Sequence, residues 1–358
     1  MVDGVELPSP ALFDRVYGQE RVVGGLLRAA AHPVHAYLFS GPPGTGKRQA
    51  ALGFAAALLC PNGGDGTCRV CRQVLAGGHV DLVVVERAGA YITVDQAHEI
   101  TRMSVRSPVE GRRKLLVLVD FHLAERAVPA LLKTIEEPPA SAVFIVLADH
   151  VPPELVTIAS RCVRFDFLPL TEAVIEAALI GEDADPTAAA EAARASGGRL
   201  DRARLLVADP EVAARRRAWA ELPGRLDGTG ATVALVTTEL LELVGRAGAD
   251  GLAARHAAEL AALDERAALT GEKVTGRRDI EDRHRREQRR LRADELRFGL
   301  AALSGAYRDR ALQATTTRAT AAALDAAAAV QDAAEALTRN PNEGLLLQAL
   351  LLRLQGSA

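Results

Sequence analysis

The chain has 358 residues and a formal net charge of −3 at neutral pH. It is too long for one small core, so two or three domains are expected, and its near-balanced charge excludes a globally basic nucleic-acid binder; any such contact must come from a local patch. Residues 1–20 lack a basic region followed by an apolar run, and no stretch reaches the roughly 18 apolar residues of a membrane span, so a cytosolic protein with no membrane partner is expected.

The first 170 residues carry strand and turn chemistry. Apolar runs at 36–40 (AYLFS), 81–86 (DLVVVE), 114–120 (KLLVLVD) and 143–149 (VFIVLAD) predict strands buried on both faces. Helical segments at 48–59, 94–105 and 124–137 separate them, and that alternation predicts a parallel α/β sheet.

Between the first run and the first helix lies SGPPGTGKR, residues 40–48. A phosphate-binding loop requires this strand-to-helix context. The backbone of Gly41, Pro42, Pro43, Gly44, Thr45 and Gly46 would form the anion nest, and Lys47 would reach the outer phosphates. Lysine occurs only at 47, 114, 133 and 273, so its presence here is not compositional drift. The next position should offer a hydroxyl to Mg²⁺, but it is Arg48, which has no lone pair for a metal. The reading is a nucleotide or phosphate site with impaired metal chemistry.

A P-loop ATPase also needs an acidic strand end to organise Mg²⁺, usually followed by Glu to activate water. Asp120 supplies the first, or merely caps the next helix. Phe121 stands where the base would follow and cannot take a proton. General-base assistance is typically worth about 10²–10⁴-fold, so hydrolysis is expected to be negligible.

Cysteines stand at 60, 68, 71 and 162. A cytosolic setting argues against a disulfide framework. The cluster Cys60, Cys68 and Cys71 leaves three readings: a zinc site, a site that has lost its metal, or a redox CxxC without the usual fold context.

Beyond Pro169 the chain turns helical. Residues 171–208 predict short helices around Gly197 and Gly198, and 211–358 a longer helical unit. Segment 271–297 holds 10 Lys/Arg and 7 Asp/Glu, with Glu281/Arg285 and Asp282/Arg286 at i,i+4 spacing. It reads as a solvated helix or, alternatively, a phosphate-contacting one, since aromatics that would stack on bases are absent. The run 323–337 reads as a high-propensity helix, and 345–354 (LLLQALLLRL) as a packed helix of either an internal core or a partner interface.

Together GPPGTGK, GRRKLLVLVD (111–120), ALLKTIEEPP (130–139) and IASRC (158–162) resemble the bacterial clamp-loader AAA+ proteins of DNA polymerase III, as do 35–44 and 94–100. The resemblance covers about residues 12–210 and, beyond that, only the N-P-N segment at 340–342 and the apolar helix after it. It implies an AAA+ core over 1–169, a helical lid over 170–208 and an all-α collar over 209–358. It assigns Arg161, within Ser160-Arg161-Cys162, the role of reaching a neighbouring subunit's ATP, for which a planar guanidinium is suited. Ala148 and Asp149 replace the Thr residues of hydrolysing members. The lid arginine in 197–204 is ambiguous between Arg199 and Arg202.

Relatives of this kind often carry four cysteines binding zinc, which implies a ligand set of Cys60, Cys68, Cys71 and Asp65 in place of the missing Cys. His79 is the substitute ligand, or it orders the turn before a strand. The implied function is a rigid stator in a hetero-pentamer with gamma/tau-like and delta-like subunits, loading a sliding clamp onto primed DNA within a nucleotidyltransferase holoenzyme, in the cytoplasm at the nucleoid. ATP or ADP would be held without efficient hydrolysis. The alternatives are an ATP-hydrolysing motor subunit and a stand-alone nucleic-acid-dependent ATPase.

Overall fold

The computed structural model describes residues 8–87, 91–124, 127–246, 253, 256–261, 277–337 and 341–355. They form two compact units that divide between Val207 and Ala208.

The first unit opens with a 3₁₀ turn (Pro10–Phe13) and α1 (Glu20–Ala31), then runs β1 (Ala36–Ser40), α2 (Lys47–Leu59), α3 (Arg69–Leu75), β2 (Leu82–Val85) and α4 (Val94–Ser104). β3 (Lys114–Leu118), a 3₁₀ turn (Phe121–Leu123), α5 (Val128–Glu136), β4 (Ala142–Ala148), a 3₁₀ turn (Pro153–Leu155), α6 (Val156–Ala159) and β5 (Val163–Asp166) follow. The strands form one parallel sheet in the order β2-β3-β4-β1-β5.

Successive strand side chains point to opposite faces, and both faces are covered. Tyr37, Phe39, Leu115, Val117, Val143 and Ile145 join a core with residues of α1, α2 and α3. Their neighbours Leu38, Leu116, Leu118, Phe144 and Val146 join another with α4 and α5. That double burial is why these strands read as continuous apolar runs. α4 starts at a reciprocal cap, Thr93 with Gln96. The predicted helix at 124–137 begins instead at Val128, residues 125–126 lying outside those described.

β5 is a strand that the apolar pattern does not announce. Its sequence, VRFD, carries two charges, and it is mostly exposed at the sheet edge, pairing with β1 from Tyr37↔Val163 to Ser40↔Asp166. An edge strand needs only one partner and tolerates charge.

After Pro169 come α7 (Glu172–Ile180), α8 (Pro186–Ala195) and α9 (Leu200–Ala208), which share a small core built on Ile175, Leu179, Ala189, Ala193 and Leu200. The turn before α9 uses Gly197 and Gly198, at φ +64° and +79°.

The second unit contains α10 (Pro210–Ala220), α11 (Leu222–Arg225), α12 (Gly230–Arg246), helical residues 256–261, α13 (Arg277–Gln313), α14 (Thr317–Ala336) and α15 (Glu343–Gln355). Its core gathers Trp219, Leu240, Leu300, Leu303, Tyr307, Val330 and Leu351. At Gly299 a Cβ would lie 2.1 Å from Trp219 Cε2, so the indole packs on bare backbone. In α15, Leu347, Leu350, Leu351 and Leu354 are buried, whereas Leu345 and Leu352 are exposed. Within the charged segment, Arg277 pairs with Glu281 at 3.0 Å; residues 271–276 and the side chains of Asp282 and Arg286 lie outside those described. No described helix is long and apolar enough to cross a membrane.

Candidate functional site

The loop after β1 turns into α2 through glycines at positive φ, Gly41, Gly44 and Gly46. Gly41 donates its N–H to Ala148 O at 3.1 Å, Thr45 Oγ1 donates to Pro42 O at 2.8 Å, and Gly46 (φ +90°) opens α2. A Cβ on Gly41 would lie 2.2 Å from Phe167 O, so only glycine fits that close approach.

Lys47 is buried, and its ammonium is answered from within the chain. It donates to Gly41 O, to Pro42 O at 2.7 Å and to Asp149 Oδ1 at 2.9 Å. An ammonium has three N–H donors, so all three have internal acceptors. Asp149 follows β4, which neighbours β1, and this adjacency brings the carboxylate to the lysine.

Arg48 forms an ion pair with Glu86 just after β2. Asp120, just after β3 at φ +55°, accepts from Arg87 Nε at 2.9 Å and makes no capping hydrogen bond. Arg48 and Asp120 are each committed to an ion pair outside the loop. Phe121 is 1% exposed and belongs to the core.

His122 Nδ1 accepts the Asp149 N–H at 3.2 Å. Burial pulls the His122 pKa down; Asp149 and Asp120 oppose that, His150 and Lys47 add to it, and the net shift is downward. The imidazole is therefore neutral at pH 7 and suited to accept that bond.

The start of α9 approaches the same loop. Leu200 donates its N–H to Gly44 O at 3.2 Å, and a Cβ on Gly44 would lie 3.0 Å from Arg199 Cβ and 2.1 Å from Asp201 Oδ1. Arg199 thus contacts the loop, and its guanidinium grips Asp201 through Nε (3.2 Å) and Nη2 (2.8 Å). Burial pushes the Asp201 carboxyl up, but Arg199 and the Arg202 N–H outweigh it and hold its pKa below the usual range.

The Ser-Arg-Cys element sits at the end of α6. Arg161 is about 38% exposed, pairs with Glu136 of α5, and donates to Thr157 O at 2.7 Å and Ser160 Oγ at 3.2 Å. Ser160 Oγ donates to Thr157 O at 2.9 Å. Cys162 packs against the α4/α5 core, and burial pushes its thiol up to about 12. Serine and cysteine thus hold the turn that presents the guanidinium.

The cysteine cluster closes between α2 and α3. One donor atom from each of Cys60, Asp65, Cys68 and Cys71 lies within 4.8 Å of the others. Cys60 and Cys68 sulfurs are 3.6 Å apart, close to the ~3.8 Å edge of a tetrahedron with zinc–sulfur bonds near 2.3 Å. Asp65 Oδ1 accepts from the N–H groups of Thr67 (2.9 Å) and Cys68 (3.0 Å), and Oδ2 from Asn62 Nδ2 at 3.1 Å. These bonds lower its pKa, so it is an anion with lone pairs to spare. Burial raises the Cys60 pKa, but the N–H groups of Asp65, Gly64 and Asn62 outweigh it and the net shift is downward; burial pushes the Cys71 thiol up. Three sulfurs and one carboxylate, all from protein, fit a closed structural zinc site. His79 lies outside the group: it is buried, and its Nδ1 accepts the Asp81 N–H at 3.1 Å, ordering the turn before β2.

Sequence reasoning missed the acids that answer these cations: Glu86, Asp149, Glu136 and Asp201. A usable signal existed for two. Glu86 and Asp149, like Asp120, close predicted apolar runs, and in a parallel sheet the C-terminal strand ends share one edge with the P-loop.

Comparison with known proteins agrees with this geometry. The protein family described as DNA polymerase III, delta subunit, matches residues 23–171. The chain is 37% identical to DNA polymerase III subunit tau/gamma of Haemophilus influenzae over 46% of this chain and 25% of that protein. It is 34% identical to DNA polymerase III subunit delta' of Bacillus subtilis over 42% of this chain and 47% of that one, and 36% identical to the Pseudomonas aeruginosa delta' over 42% and 48%. These alignments span about a quarter to a half of the relatives' own length. The matched region, residues 23–171, holds the loop with the P-loop glycines and lysine and the whole five-stranded parallel sheet, and over it the chain is similar to subunits of DNA polymerase III.

Proposed function

We propose that the chain is a delta-prime-like stator of a clamp loader: a cytoplasmic, nucleoid-associated subunit that assembles with gamma/tau-like and delta-like AAA+ subunits and helps place a sliding clamp on primed DNA. The observation that carries this reading is the state of Lys47, whose donors are met by Gly41, Pro42 and Asp149. A lysine held by its own chain, next to an arginine where a metal hydroxyl belongs and a core phenylalanine where a base belongs, suits a subunit that hydrolyses little or nothing. Arg161 is partly exposed and acts in this reading on a neighbour's ATP, stabilising charge on the transferred phosphoryl group. Zinc, held by Cys60, Asp65, Cys68 and Cys71, would brace the α2–α3 connection. Residues 1–169, 170–208 and 209–358 would serve as AAA+ core, lid and oligomerising collar, with Leu345 and Leu352 available to a partner.

A second reading, an ATP-hydrolysing motor subunit, draws support from the tau/gamma relatives, which are as similar as the delta' ones. Two measurements test the proposal. Capture of the tagged chain from its native lysate should recover other clamp-loader AAA+ subunits by mass spectrometry. The purified chain should show no ATPase above a Lys47→Ala control, and turnover that depends on both Mg²⁺ and Lys47 would transfer the chain to the motor class.

A further inference from the structure

Where α13 meets α14, the helical unit carries an open cavity of about 480 Å³ bordered by Tyr307, Arg310, Gln313, Thr316 and Arg318. Alanines of α14, among them Ala319 and Ala323, supply an apolar wall, and no Asp or Glu lines the space.

Three independent features converge on it. The first is charge. In the same unit Arg215 pairs with Glu295 at 2.8 Å and Arg292 with Glu343 at 2.6 Å. Arg310 and Arg318 have no carboxylate partner among the described residues; Arg310 only lies 6.0 Å from the centre of the Tyr307 ring.

The second is the N-terminus of α14, a helix of 20 residues with no acid in its first turn. Thr316 caps it, Oγ1 accepting from Ala319 N–H at 3.2 Å and the carbonyl accepting from Thr320 N–H at 3.0 Å. The N–H groups of Thr317 and Arg318 are left to be met from outside the helix, at its positive end.

The third is Tyr307. Its side chain is 1% exposed, yet its hydroxyl has no hydrogen-bond partner among the described residues. Buried phenols normally find one. Because Tyr307 borders the cavity and its oxygen is not among the sealed, unsatisfied atoms, the hydroxyl opens into that space.

We propose that this cavity binds the phosphate of a nucleotide, either free or as a unit of a single strand. Arg310 and Arg318 provide two unbalanced positive charges, matching a phosphate monoester dianion, and guanidinium forks suit phosphate oxygens. The helix N-terminus and the Tyr307 hydroxyl add neutral donors. A bare ion would leave most of the space empty, whereas small-molecule sites typically run to about 300–1,000 Å³. The alanine wall accepts a flat apolar face, and the Gln313 amide can both donate to and accept from a base edge.

The test uses the full chain carrying Lys47→Ala, which removes the P-loop's cation. It is titrated with adenosine 5′-monophosphate, with adenosine and with a fluorescein-labelled single-stranded oligonucleotide, and hydrogen exchange is followed over residues 305–323. The monophosphate should bind and protect the amides of Thr317 to Ala319, with adenosine at least about tenfold weaker. Arg318→Ala should weaken binding about tenfold or more. Tyr307→Phe, which preserves ring packing, should weaken it several-fold without moving the melting temperature. An oligonucleotide that binds more tightly than the monophosphate makes the source a strand; equal or weaker binding makes it a free nucleotide. Equal affinity for adenosine and its monophosphate, protection absent from 305–323, or undiminished binding in Arg318→Ala overturns the proposal.

Discussion

Asp149→Ala removes the one side-chain acceptor that Lys47 has among the described residues. The pair is largely shielded, at 9% and 29% side-chain exposure, so it exceeds the ~0–1 kcal/mol of a surface ion pair. A charge-assisted hydrogen bond of this kind contributes about 1.5–3 kcal/mol. A nucleotide phosphate has to compete with Asp149 for the same ammonium, so its removal should tighten ADP binding by about 10–150-fold at 25 °C. Fluorescent ADP titrated in EDTA isolates the lysine's contribution, because the missing metal hydroxyl is then irrelevant. Asp149→Asn should give a smaller gain, its neutral carbonyl still accepting from the ammonium. Unchanged affinity in Asp149→Ala, or a gain that persists when Lys47→Ala is added, would refute the competition.

Other expectations follow from the same structure. Purified protein should contain close to one zinc per chain; Cys68→Ser and Asp65→Ala should empty the site and lower the melting temperature, whereas His79→Ala should keep the metal, as elemental analysis would reveal. Cys162, with its thiol pushed up to about 12 by burial, should resist iodoacetamide at pH 8 until the chain unfolds. A thiol that ionises at higher pH when folded favours folding below its unfolded pKa of about 8.5, so the contribution of Cys162 to stability should fade as pH climbs from there toward 12. Gly299→Ala should cost about 1–3 kcal/mol in urea unfolding, because its Cβ would lie 2.1 Å from Trp219 Cε2 and the core must shift.

The sheet was legible because β1, β3 and β4 are buried on both faces and β2, a half-buried edge strand, still writes an unbroken apolar run. β5 was not, since an edge strand with exposed Arg164 and Asp166 has no such signature. The loop 40–48 and the cysteine cluster are local in sequence, within residues 40–48 and 60–71, so spacing alone located them. The partners that define the loop's electrostatics are not local. Asp149 lies 102 residues from Lys47 and Glu86 lies 38 from Arg48, and only the strand order β2-β3-β4-β1 brings those strand ends together. The approach of Arg199 to the loop is likewise non-local, since it depends on the Leu200–Gly44 hydrogen bond.

In the proposed function the chain gives an arginine to a neighbour's ATP while its own P-loop stays idle. The direct measurement is clamp- and DNA-stimulated ATP hydrolysis by the reconstituted assembly with Arg161→Ala in this chain. Assembly and melting temperature should be unchanged, since Arg161 is partly exposed and its pair with Glu136 lies at the surface. Stimulated hydrolysis should fall, bounded by trans-arginine contributions of about 10³–10⁵-fold at a single site and diluted by the other sites of the ring, and Arg161→Lys should not restore it. Hydrolysis at the unmodified rate in assembled Arg161→Ala complexes would contradict the account.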